Sequence, residues 1–275
     1  MKIYDMHIHT YAARPLDRAA LLSALDEAGV YGACIFSEQP VENWPGIGIR
    51  LEERLEQLLS LVEGAEDRLL PVLFVHPYER GIVKKLAAVK ERGIVAIKVM
   101  ANNFEIGERK SMRLFHAAAE LDLPVILHSG VLYDGCPSSR CNRPASFEPL
   151  FDVKHLRFSM GHCSWPWIDE CIAVYGKLRW LSAYYGRTAE MFLDLTPGTP
   201  PIYRRELLTK LHAVTGMGSL LFGTDHISNR YNAARTRELI AADNAIYDEL
   251  GVSEAERRGI YRDNLARFLG RPLAE

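Results

Sequence analysis

Residues 2–37, KIYDMHIHTYAARPLDRAALLSALDEAGVYGACIFS, read as strand, helix, strand. The opening run KIYDMHIH is apolar with a period of two, which suits extended chain. In DRAALLSALDEAG (17–29) apolar residues return at helical spacing, and a glycine marks the stop. YGACIFS (31–37) is again a short apolar run. Two strands joined through a helix form the repeating unit of a parallel sheet, because parallel neighbours need a long crossover.

The same unit continues outward. Further apolar runs stand at LLPVLFVH (69–76), IVAIKVM (94–100), LPVILHS (123–129), LRFSMGH (156–162), LRWLSA (178–183) and SLLFGTD (219–225). Helical spacing is clear at 50–65, 111–122 and 235–251. Eight strands alternating with helices in a chain of 275 residues predict an α/β protein, a single (β/α)8 TIM barrel. No composition break divides the chain, so residues 1–275 are expected to form one domain.

Composition narrows the partners. With 48% hydrophobic residues, 25% charged residues and a net charge of −2, the chain is neither basic enough for nucleic acid nor too polar for a core. It has no apolar run of bilayer length and no basic, apolar leader at its start, so a cytoplasmic protein acting on a small molecule is expected. Assembly as a homo-oligomer is compatible with the sequence. Cys34, Cys136, Cys141, Cys163 and Cys171 contain no CxxC pair, which argues against a disulfide framework or a thiolate zinc cage.

Polar residues gather at the ends of the expected strands, where barrels of this kind carry their active sites. His7 and His9 close the first, His76 the third, His128 the fifth, His162 the sixth and Asp225 the eighth, with Lys98 near the end of the fourth. His116, His155, His212 and His226 lie elsewhere or beside a better candidate. Strict alternation would put Asp5, His7 and His9 on one face, and burying three polar groups there requires something that compensates them. A metal ion does so. Neutral imidazoles of His7, His9 and His128 with the Asp225 carboxylate make a three-nitrogen, one-oxygen set that favours zinc, with manganese, iron or cobalt compatible. An ion so held brings water within reach of ionisation at neutral pH and polarises a carbonyl, the requirements of hydrolysis. Asp225 is then both ligand and proton acceptor. His162 is left to polarise the substrate, orient the water or bind a second ion.

At these residues the chain resembles the amidohydrolase superfamily, in the branch that includes aminocarboxymuconate semialdehyde decarboxylase and several lactone and carboxylate hydrolases. The resemblance runs through DMHIHT, VAIKVM, PVILHSG, FSMGHCS, LLFGTDHI and IYRDNLARFLG. It implies metal ligation by His7, His9, His128 and Asp225, with His162 and Asp225 as catalytic residues. It also raises Lys98 as a metal bridge, since some relatives carboxylate a strand-four lysine, although this branch generally uses one ion. Lys98 and Asp5 are otherwise expected in the surroundings of the ligands. Two departures bear on the substrate: HCSWPW stands where relatives often have a glycine soon after the histidine, and DHISN where they have an aromatic–proline pair.

Two turn-rich loops, 130–147 and 184–201, are expected to follow strands five and seven over the site. They carry Arg140, Arg143, Arg187 and Tyr184, which suit a substrate carboxylate and an unsaturated or cyclic body. The expected activity is metal-dependent hydrolysis of a small carboxylate-bearing amide, lactone or ester. A non-oxidative decarboxylase is the alternative, and a catalytically silent metal-binding barrel stands behind both.

Overall fold

A computed structural model describes residues 1–11 and 17–274. Its strands are β1 (Tyr4–His9), β2 (Gly32–Phe36), β3 (Leu69–Phe74), β4 (Ala96–Val99), β5 (Val125–Leu127), β6 (Arg157–Met160), β7 (Glu190–Asp194), β8 (Leu220–Leu221) and β9 (His226–Ile227). The helices are α1 (Arg18–Ala28), α2 (Leu51–Val62), α3 (Ile82–Glu91), α4 (Arg109–Glu120), α5 (Ile168–Tyr185), α6 (Arg204–Val214), α7 (Ala233–Leu250), α8 (Glu254–Arg258) and α9 (Asn264–Leu269). A helix crosses back between most successive strands. Between β5 and β6 the connection is made of short 3-10 turns, Ser139–Asn142 and Pro144–Asp152. No helix among the described residues is long and apolar enough to cross a membrane.

The strands form one curled parallel sheet in the order β8-β7-β6-β5-β4-β3-β2-β1-β9. β8 and β9 stand at opposite ends of that order, although only residues 222–225 separate them in the chain. Within that link the Met6 N–H donates to the Phe222 carbonyl at 2.9 Å, and the Asp225 N–H donates to the His7 carbonyl at 2.9 Å.

Parallel strands covered on both faces bury apolar side chains in both directions. On the concave side Tyr4, Met6, Cys34, Phe36, Leu70, Val72, Ala96, Ile126, Phe192 and Leu221 pack together, and Leu265, Phe268 and Leu269 of α9 close the end at which the strands begin. The larger cluster lies between sheet and helices. Each such side chain contributes roughly 1.5–3 kcal/mol of burial.

The seventh strand is not where the sequence suggests. LRWLSA (178–183) lies within α5, whose buried residues Cys171, Ile172, Val174, Tyr175 and Leu178 keep helical spacing until Gly186 ends it in the left-handed region. The strand itself is EMFLD, residues 190–194. Its apolar run is shorter than the helical run before it, so the stronger hydrophobic signal belonged to the wrong element.

Candidate metal centre

β1 supplies the first two histidines, through an irregular register. Its pairing with β2 shifts between Asp5 and Ile8. Tyr4 and Met6 therefore face the inside of the curl, and Asp5 points the other way. Asp5 accepts from the His7 N–H and the Thr224 N–H, each at 3.0 Å, and from the Thr224 hydroxyl at 2.5 Å. It does not share a face with His7 and His9 as strict alternation requires. It ties β1 to the segment carrying Asp225, and burial pushes its carboxyl up to about 7 against those hydrogen bonds.

Beyond the shift, His7 and His9 converge on Asp225. The His7 and His9 Nε2 atoms lie 3.2 Å apart. Asp225 Oδ1 is 3.4 Å from His7 Nε2 and 3.2 Å from His9 Nε2. Donors held about 2.0–2.1 Å from a tetrahedral ion stand about 3.3–3.4 Å from one another. The three atoms thus already have the spacing of a ligand triangle. Asp225 reaches it from a left-handed backbone, φ 60°, a conformation costly for a residue with a side chain.

His162 and His128 complete the group. His162, His7 and Asp225 each offer an atom within 4.8 Å of the others. The His128 ring packs edge-on to that of His162, centroids 5.1 Å apart, and His128 Nε2 is buried without a hydrogen-bond partner. A buried imidazole nitrogen left unpaired is costly, and an ion satisfies it.

The electrostatics suit these side chains to metal binding. Burial pushes His7 and His128 well below the ordinary imidazole value, and His162 down as well, with Lys98 adding to each. All three are neutral at pH 7, the form that binds metal. Burial acts to raise Asp225, but the His9 hydrogen bond and the neighbouring imidazoles outweigh it and hold the carboxyl well below the usual range. Lys98 is buried, with Nζ 3.4 Å from His7 Nε2, and burial pulls it down to about 8.

Behind the ligands stands a layer that the sequence did not reveal. Asp194, the last residue of β7, is buried, with Oδ2 2.6 Å from His7 Nδ1. That contact fixes which ring nitrogen of His7 faces the site. Thr196 Oγ1 lies 2.8 Å from His162 Nδ1. Close packing here demands glycine at two places. A Cβ at Gly198 would stand 2.5 Å from His162 Cβ, and one at Gly223 would stand 2.6 Å from Thr196 Cγ2.

This constellation agrees with a family model described as Amidohydrolase, which matches residues 4–271. The chain belongs to the amidohydrolase family. No curated protein sequence matches it. Among solved structures it is similar to a 2,6-dihydroxybenzoate decarboxylase from Rhizobium, with TM-score 0.68 and 15% identity over 98% of this chain and 99% of that one. It is similar to a probable 2-pyrone-4,6-dicarboxylic acid hydrolase from Acinetobacter baumannii with citric acid bound, with TM-score 0.65 and 13% identity over 98% and 100%. A third is a 5-carboxyvanillate decarboxylase from Novosphingobium aromaticivorans holding manganese and 3-methoxy-4-hydroxy-5-nitrobenzoic acid, with TM-score 0.65 and 13% identity over 98% and 96%.

The rim of this amidohydrolase corrects the expected substrate contacts. Arg187 and Tyr184 precede β7, at the end of the sheet opposite the histidines, because the seventh strand lies later than LRWLSA. There Arg187 pairs with Asp152 at 2.8 Å, and Tyr184 stacks on Trp180 with centroids 5.3 Å apart. Arg143 is held by Glu170 at 2.6 Å and lies over the Trp167 ring. Arg140 lines a cleft of about 250 Å³ with Asn103, Glu108 and Cys136. His76 is bonded to Asn103 at 2.8 Å, and His226 Nε2 is buried without a partner. Asp194 could have been found by the rule that exposed the others, a short apolar run ending in an ionisable residue, had EMFLD been read as a strand.

Proposed function

We propose that this amidohydrolase is a metal-dependent hydrolase of a small carboxylate-bearing amide, lactone or ester, built on a closed (β/α)8 barrel and working in the cytoplasm. Closure is supported by the hydrogen bond from Met6 to Phe222, which joins the two ends of the strand order. One divalent ion, zinc by its donor set, is held by His7, His9, His128 and Asp225. The observation that carries this reading is the triangle of His7, His9 and Asp225 donor atoms, 3.2–3.4 Å on a side. When bound, the ion supplies an acidified water and polarises the scissile carbonyl.

The chain's own residues do the rest. Asp225, ionised and with 36% of its side chain exposed, takes the proton released as the attacking oxygen bonds to carbon. His162 faces the same space from β6. Lys98 lies deepest and meets negative charge on the substrate, and Arg140 does so at the rim. Lys98 acts as a cation beside the ligands here, without bridging a second ion.

One observation favours the decarboxylase as a second reading. With Arg187 and Tyr184 at the other end of the sheet and Arg143 tied to Glu170, the deepest cation is Lys98, next to a metal histidine. A carboxylate drawn there would sit at the reacting centre. The similarity to benzoate and vanillate decarboxylases points the same way.

The test is a panel of lactones, esters, amides and unsaturated or aromatic carboxylates, offered to chelator-treated protein with and without added zinc or manganese in ¹⁸O-labelled water. Hydrolysis puts the label into a product carboxylate. Release of carbon dioxide with no label in the organic product selects the lyase. No metal-dependent turnover of any class sinks both.

A further inference from the structure

β2 carries alternate side chains onto the concave face, and Cys34 and Phe36 point there. Its pairing with β3 keeps one register from Ala33 to Phe36. The Phe36 ring lies 4.6 Å from that of His7 and 5.1 Å from that of His9, centroid to centroid, and Lys98 Nζ stands 5.1 Å from its centre. Phe36 is thus part of the floor beneath the cluster of His7, His9 and Asp225. The extended chain runs on past it. The Ser37 N–H donates to the Val72 carbonyl at 2.9 Å, and the Ser37 hydroxyl accepts the Phe74 N–H at 3.0 Å. Alternation then makes Glu38 the next inward residue, about 6–7 Å nearer the mouth than Phe36 at about 3.3 Å per residue.

Glu38 is 9% exposed, and its Oε1 is buried without a hydrogen-bond partner. A buried acceptor left unmatched is costly, and native folds keep few of them. The backbone around it is fixed. The Glu38 carbonyl accepts the Ser37 hydroxyl at 3.0 Å, the Gln39 carbonyl accepts the Ile49 N–H at 2.8 Å, and the Asn43 side-chain amide donates to the Met100 carbonyl at 3.0 Å. The loop after β2 is therefore tied down while the carboxyl oxygen is left over. The matching position after β3 is different. His76 stands two residues beyond Phe74, and both its nitrogens are engaged: Nε2 lies 2.8 Å from Asn103 Oδ1, and Nδ1 accepts the Tyr78 N–H at 3.1 Å.

We propose that Glu38 is a specificity-determining residue of this site, whose Oε1 accepts a hydrogen bond from a hydroxyl or N–H group on the substrate, on the flank away from the carboxylate that Lys98 meets. A carboxylic acid keeps this acceptor as a carboxylate does, so either state of Glu38 serves. A substrate with a donor on that flank is preferred to the same skeleton without one, because the bare skeleton leaves Oε1 buried and unmatched. The placement of that donor relative to a carboxylate rests on the proposed metal-dependent reading.

The experiment measures binding to the zinc-loaded full-length protein by ligand-observed NMR, with cyclohexanecarboxylate, its ring-hydroxy and ring-amino derivatives, and the carboxamide of each as probes. In the parent at least one donor-bearing ring should bind about 10–100-fold more tightly than the bare ring, the worth of one hydrogen bond to a charged group. The hydroxy and amino arms tell which donor the site takes. In Glu38→Met that ratio should fall to near unity, with zinc content as in the parent and a melting temperature no lower, since methionine fills the space and leaves no oxygen to match. Glu38→Gln, which keeps an acceptor, should retain part of the preference. The absence of a preference in both acids and amides overturns the proposal, as does a preference that survives Glu38→Met, a loss of zinc from that variant or a lower melting temperature. Preference for acids over amides tests the carboxylate reading separately, so each can fail alone.

Discussion

The two ends of the strands use similar residues in opposite ways. Where strands begin, charges sit in water and pair across the surface: Arg187 with Asp152, Arg157 with Asp122, Arg267 with Glu190. Where strands finish, His7, His162, Lys98 and Asp194 are buried, and the donor atoms of His7, His9 and Asp225 face one another at 3.2–3.4 Å. Exposed pairs contribute about 0–1 kcal/mol each. The other end carries costs instead, in buried ionisable groups, a partnerless His128 nitrogen and left-handed backbone at four site positions, His162 to Ser164 and Asp225. Strand direction separates the paired surface charges from the buried histidine–aspartate cluster. An arginine on the wrong side of β7 is no substrate clamp, however well its chemistry suits one.

That contrast breaks most visibly at Asp225. Asp225→Asn should lower kcat by about 10²–10⁴ while retaining more metal than variants lacking a histidine ligand, because an amide still ligates weakly but takes no proton. Near-parental turnover with metal in place would assign the proton to another group. Asp194→Asn should act one layer out. Metal affinity or activity is expected to fall about 10–100-fold, measured by competition with a chromophoric chelator. An unchanged affinity would mean that His7 needs no carboxylate behind it.

Acidity sharpens the same comparison. His7, His128 and His162 are pushed below the ordinary value of 6.5 by burial, so below it the unfolded chain binds protons that the fold excludes. The share of the metal-free protein's stability that these rings carry should therefore rise with pH up to about 6.5 and change little above it, against the opposite slope of Asp5, whose carboxyl is pushed up to about 7. Urea unfolding of the parent and of His128→Gln at about pH 5, 6 and 7 measures this, and a stability difference between them that does not change with pH would show that ring to be charged in the fold. The smallest effect belongs to the opposite end. Arg187→Met should change stability by no more than about 0.5 kcal/mol and leave KM for an acid substrate as it was, whereas Arg140→Met should raise it. A rise in KM for the Arg187 variant would restore the clamp that the strand assignment removed.

Much of this was legible in residues. The βα units through strand six, the HxH of β1 and the aspartate after β8 stand in short apolar runs bounded by turns or helices, where local pattern and tertiary role coincide. Asp5 misled because a one-residue shift in a strand is invisible to a period of two. LRWLSA misled because an apolar segment of a long helix looks like a strand when its flanks are also apolar. From that one displacement follow the misplaced Arg187 and Tyr184 and the missed Asp194, which ends the short apolar run EMFLD, whereas no local motif marks Thr196. Contacts such as His162 with Thr196 join residues 34 apart and exist only once the sheet has curled.

The most direct test is elemental analysis of the purified protein and of a variant with both His7→Ala and His9→Ala. About one divalent ion per chain is expected in the parent and almost none in the variant, since two of four ligands are gone. An unchanged metal content in that variant, at equal folding by circular dichroism, would contradict the metal centre at the head of β1.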